Sequence, residues 1–210
     1  IPEDNRYQQA AALYRIAAKR GSTNAPHSLA WMIKQGNYRA CQEDFSCVGL
    51  PVPEGGRNQQ VAALYRIAAK RGSAEAPHNL AWMIGQSHYT PCEADFSCVG
   101  LTMPVGDRYQ QAAALYRLAF QRGYSEATHS LAVMIEQGHY TPCQADFSCV
   151  GLVVPECDRY QQAAYLYRLA AHRGSASASN RLGLMIKRGN YRACGADFSC
   201  VGLTMPVGDR

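Results

Sequence analysis

The chain repeats in phase every 51 residues, from one end to the other. Arg6, Arg57, Arg108 and Arg159 each open a copy, and Arg210 opens a further one. Residues 6–56, 57–107, 108–158 and 159–209 align without a gap, residues 1–5 align with the tail of a copy, and residue 210 with the head of one. A fixed period of this size leaves few architectures open. It predicts a stack of like supersecondary units, each burying its apolar face on its neighbours. On this reading the 210 residues are a window on a longer array.

Within the first copy, residues 7–20 are rich in Ala, Leu, Gln and Arg, which favour helix. Ala10, Leu13, Tyr14 and Ala17 fall on one face at helical spacing. Gly21 follows Lys19 and Arg20 and reads as a helix stop with cations in the last turn. Ser22 or Asn24 is placed to cap a second helix, which carries Ala25, Leu29, Met32 and Ile33 on one face and ends near Gly36. Residues 37–56 read as a long loop holding two cysteines and two prolines. Comparing the copies supports this pattern. Leu13, Tyr14, Ala17, Ala25, Leu29, Met32 and Ile33 recur in all four. Position 19 runs Lys19, Lys70, Gln121, His172 and position 34 runs Lys34, Gly85, Glu136, Lys187, so both are expected to face solvent.

The pattern Ala12-Leu13-Tyr14-Arg15, Ala17-Ala18, Gly21, Ala25, Leu29-Ala30, Met32, Gly36 resembles the Sel1-like repeat, a relative of the tetratricopeptide repeat. It recurs through residues 63–87, 114–138 and 165–189, with Ser87 in place of the last glycine and Tyr165 in place of the first alanine. The resemblance covers about half of each copy, and the loop is longer than the family's. It implies an all-α, right-handed superhelical solenoid of antiparallel helix pairs, and a role in binding or scaffolding without catalysis.

The loop varies less than a connecting segment normally does. Residues 44–50, Asp-Phe-Ser-Cys-Val-Gly-Leu, are identical in all four copies. Asp44, Phe45 and their equivalents Asp95, Phe96, Asp146, Phe147, Asp197 and Phe198 are expected to make the loop a structural unit tucked against the helices. Eight of the nine cysteines are phase-locked in pairs, Cys41/Cys47, Cys92/Cys98, Cys143/Cys149 and Cys194/Cys200. Disulfides within each loop are the first expectation, with an oxidising compartment: extracellular, cell surface or periplasmic. Bridges between loops and metal binding are the alternatives, the latter weakened because the spacing is not C-x2-C. Cys157 stands where other copies have glycine and reads either as a free thiol or as an intermolecular partner.

Arg15, Arg20, Arg66, Arg71, Arg117, Arg122, Arg168 and Arg173 recur in register. They pair with the loop aspartates or form a cationic stripe for an acidic polysaccharide or protein. His27, His78 and His129 form a ladder that Asn180 interrupts, as expected of packing residues. The net charge of +5 is spread over every copy rather than gathered in a patch, so nucleic acid is not indicated. No apolar run approaches a membrane span. No nucleophile, metal or phosphate-binding motif occurs, and nothing calls for a cofactor. The sequence therefore points to a non-enzymatic structural protein, forming an extracellular fibre or surface scaffold from copies stacked end to end. An interaction module binding a protein partner on its concave face is the second reading.

Overall fold

The structure is a computed structural model and describes residues 3–143 and 158–192. Among these residues all regular structure is helical. The chain divides into two compact units between Leu115 and Tyr116. The first holds α1 (Glu3–Lys19), α2 (Asn24–Lys34), α3 (Gln42–Ser46), α4 (Arg57–Lys70), α5 (Glu75–Gly85), α6 (Glu93–Ser97) and the first half of α7 (Arg108–Gln121). The second holds the rest of α7, then α8 (Glu126–Glu136), α9 (Arg159–His172) and α10 (Ala176–Lys187).

Each long helix pair is a hairpin closed by a glycine. Gly21 ends α1 at φ +88°, where an L side chain is strained, and Ser22 N–H returns to Ala17 O at 3.0 Å. Ser22, not Asn24, caps the second helix: its hydroxyl accepts from Ala25 N–H at 3.2 Å, as Ser73 and Ser175 do for Ala76 and Ala178. Ser87, replacing a glycine, adopts φ +58° at the end of α5.

The hairpins then stack. In the first unit α4 lies on α2, and in the second α9 lies on α8. Stacking seals positions that a lone hairpin leaves open. Leu64, Tyr65 and Val61 of α4 are fully buried, as are Leu166 and Tyr167 of α9. The equivalent Leu13 of α1 is 67% exposed.

The expected loop contains a short helix that the sequence reading did not place. In α3, Cys41 is the N-cap, and its N–H donates to Asp44 Oδ2 at 2.8 Å. Cys92 and Asp95 repeat this at the same distance at the start of α6. That hydrogen bond holds the helix entry, and Gly49 closes the exit in the left-handed region. The helices aim Phe45 and Phe96 inward, both with no exposed surface. The corresponding Phe147 and Phe198 lie outside the described residues.

Burial of these rings sets a measurable cost. Phe45→Ala and Phe96→Ala are each expected to destabilise the fold by about 3–5 kcal/mol. Denaturant unfolding followed by circular dichroism checks this, and a loss under about 1 kcal/mol would show that the rings are not part of the core.

Candidate interaction surfaces

Three groups converge on each loop aspartate. Asp44 is fully buried, and it accepts from Tyr38 Oη at 2.9 Å and from Arg15 Nη1 at 3.2 Å, besides the Cys41 N–H. Asp95 accepts from Tyr89 Oη at 2.9 Å and from Arg66 Nη1 at 3.3 Å. A carboxylate removed from water needs such partners to stay ionised and folded in. The clip fastens the loop to both helices of its own hairpin: arginine from the first, tyrosine from just beyond the second. Burial and the adjacent aspartate raise the Tyr38 and Tyr89 phenol pKa values well above the ordinary range, so both rings remain donors. In the second unit Arg117 reaches Tyr140 Oη at 3.3 Å. Asp146 and Asp197 lie outside the described residues.

The expected disulfides within the loops are not made. Cys41, Cys47, Cys92, Cys98 and Cys143 carry free thiols. The reason is the short helix itself. Cys41 and Cys47 are its N-cap and C-cap, and six residues of helical rise separate their Cα atoms by roughly 9 Å. A disulfide needs them within about 7 Å. Cys41 Sγ instead receives Arg15 Nη1 at 3.1 Å, while Cys47 packs with Ala18 and Ala25 and donates to Asp44 O at 3.2 Å. Burial raises both thiol pKa values. The loops are thus tied by an ion pair and hydrogen bonds, and the argument for an oxidising compartment loses the bridges it rested on. Cys149, Cys157, Cys194 and Cys200 lie outside the described residues. Among the described residues no group of histidine, cysteine and carboxylate side chains is arranged to hold a metal ion.

The in-register arginines serve the fold more than an open cationic stripe. Arg15 and Arg66 are held by the loop aspartates. Arg71 donates to Ala18 O at 2.9 Å and Ser22 O at 3.1 Å, capping the C-terminus of α1 from the next hairpin. Arg173 lies 4.0 Å from the Phe120 ring centroid, and Arg168 lies 4.6 Å from that of Tyr165. Arg122 is half-buried and Arg20 is exposed.

The joint between hairpins is where the copies differ. In the first unit His27 of α2 packs on Tyr65 of α4 at 5.4 Å between centroids, and its Nε2 lies 2.8 Å from Asn79 Nδ2. Lys34 Nζ stands 3.9 Å over the Trp82 ring. In the second unit His129 packs on Tyr167 at 5.5 Å, Tyr167 Oη donates to Glu136 Oε2 at 2.7 Å, and Arg181 Nη1 lies 4.0 Å from the same oxygen. Burial lowers the pKa of His27 and of His129, in each case opposed by a nearby glutamate, Glu75 or Glu126. Position 34 was expected to face solvent because it varies. Lys34 and Glu136 instead lie at the joint, each matched to a different neighbour.

The outer face of the first hairpin carries the same positions without a cover. A groove of about 540 Å³ is lined by Arg6, Tyr7, Ala10 and Tyr14 of α1 and by His27, Ser28, Trp31 and Met32 of α2. Trp31 is 47% exposed and Leu13, on the same helix as Tyr14, is 67% exposed. No helix of the described residues is long and apolar enough to cross a membrane.

Comparison with known proteins bears on the fold. No family model matches the sequence, and no curated protein matches it. The structure is similar to the crystal structure of a protective antigen present in uropathogenic Escherichia coli strains that displays an SLR fold. The TM-score is 0.50 at 21% identity, over 85% of this chain and 29% of that one. The chain therefore spans less than a third of that protein's length. At this identity the likeness concerns the fold: an all-helical Sel1-like repeat, as the residue pattern led us to expect.

Two outcomes follow from this geometry. Thiol alkylation without prior reductant is expected to label all five described cysteines, the exposed Cys92 and Cys143 first and the buried Cys47 last; mass spectrometry showing pairs that react only after reduction would contradict it. The two joint tyrosines should also respond differently. Tyr65 Oη is buried with no hydrogen-bond partner among the described residues, so Tyr65→Phe should change stability by less than about 1 kcal/mol. Tyr167→Phe removes a donor from buried Glu136 and should cost about 1.5–3 kcal/mol in a denaturant titration.

Proposed function

We propose that this Sel1-like repeat chain is a non-enzymatic structural protein that assembles by continuing its own stack of helical hairpins, as a fibre or surface scaffold. The observation that carries the reading is the outer face of the first hairpin. Leu64, Leu115 and Leu166 are at most 1% exposed, while the equivalent Leu13 is 67% exposed beside an apolar groove. An exposed apolar patch of this kind marks an interaction site. Its residues are those that receive a neighbouring hairpin elsewhere in the chain. A head-to-tail contact of this type uses two different faces and does not close on itself, so it propagates into open filaments.

The loops fit this role. Each is fastened to its own hairpin by a buried ion pair, so it accompanies the hairpin as one body and repeats at the period of the stack. Electron microscopy of the purified chain over a range of concentrations tests the proposal. Filaments that lengthen with concentration are expected. Discrete particles of single-chain mass at every concentration would overturn it and favour an interaction module that binds a protein partner on a lateral face.

A further inference from the structure

The joints inside the chain specify which helix the open face accepts. Position 34 of one hairpin meets positions 28 and 31 of the next. In the first unit that meeting is Lys34 with Trp82, 3.9 Å from nitrogen to ring centroid. In the second it is Glu136 with Arg181, at 4.0 Å. The residues at this crossing are therefore matched: a lysine meets an indole, and a glutamate meets a guanidinium.

One lysine and one indole at these positions remain without such a match. The chain has two tryptophans, Trp31 and Trp82, and lysine occupies position 34 in the first and fourth copies, as Lys34 and Lys187. Lys34 covers Trp82, which is half-buried. Trp31 is 47% exposed at one end, and Lys187 is exposed at the C-terminal end of α10. The rest of the two faces agrees. Ser179, Asn180 and Gly183 are exposed on α10, whereas Pro26 and Ala30 are buried at the same positions of α2, and so are Pro77 and Ala81 of α5. Gly189 ends α10 as Gly36 ends α2, and Gly36 lies against the Arg57 guanidinium, so Arg6 can lie against Gly189 in the same way. Asn180 would meet Tyr14 and Ser28 where His27 meets Tyr65 and Asn79.

We infer that the open face of the first hairpin takes α10 of a second copy of this chain, in the same register as α2 on α4, with Lys187 over the Trp31 indole. The inference rests on the proposed stacking function and names its partner and the contact that sets its register. A cation held over an indole is attractive, more so once water is excluded. Glutamate at position 187 replaces that attraction with repulsion by the negative ring face.

Sedimentation equilibrium of the full 210-residue chain tests this, with thermal melts of each variant to confirm folding. Wild type is expected to self-associate. Trp31→Ala and Lys187→Glu should each weaken association by about five- to tenfold or more. Lys187→Glu combined with Ser28→Arg rebuilds the Glu136–Arg181 pairing at the new joint and should restore much of the loss. Association that is indifferent to Trp31→Ala and Lys187→Glu would overturn the inference while leaving the stacking function in place. A wild-type chain that stays monomeric at every concentration would overturn both and assign the face to a different occupant.

Discussion

Everything in this molecule depends on one helix covering another from the hairpin before it. A single Sel1-like hairpin has two short helices and too little interior to exclude water from its own apolar residues. Leu64, Tyr65 and Val61 become core only because α2 lies over them, and Leu166 and Tyr167 only because α8 does. Stability in such a chain is a sum over joints more than over hairpins. The joint is also where the copies are individual. His27 and His129 pack on tyrosines in the same way at both, but the polar partner changes: lysine on indole at one, glutamate bound by tyrosine and arginine at the other. Matched crossings of this kind favour one neighbour over another, since a wrong pairing leaves a buried charge without a partner.

The second organising feature is the buried aspartate of each described loop. Asp44 has no exposed surface and is bound by a guanidinium, a phenol and a backbone N–H. It ends the loop's freedom by joining three segments at one point: α1, the residue pair following α2, and the start of α3. Phe45, next in sequence, is driven into the interior by the same short helix. This explains why a stretch outside the main helices is identical in every copy. Asp44 needs Arg15 and Tyr38, and Phe45 needs the cavity behind them, so a change at one position leaves the others unsatisfied.

Much of this was legible in the residues. The helical stripes, the glycine stops and the pairing of arginine with loop aspartate could be read because each has a local signature repeated four times. Three features could not be read so simply. The short helix α3 was hidden inside a segment rich in prolines and cysteines, although Cys41 and Asp44 stand at capping-box spacing. That omission led directly to the expected disulfides, since the pair looks close in sequence and is held apart only by the intervening helical turn. Position 34 was misread for a different reason. Variation normally marks a surface, but here it marks a contact whose two sides vary together, and only the stack places Lys34 against Trp82 or Glu136 against Arg181. Sequence periodicity shows that hairpins stack; it does not show which residue of one crosses which residue of the next.

The dependence of each hairpin on its neighbour is tested most directly by comparing one repeat with two. Circular dichroism and sedimentation of residues 57–107 and of residues 6–107 make the comparison. The account predicts that the single repeat is largely unfolded as a monomer, while the pair is helical and unfolds cooperatively, because only the pair contains the α2–α4 joint. A single repeat that is monomeric, helical and cooperatively folded would show that the hairpin carries its own core and would contradict the central claim.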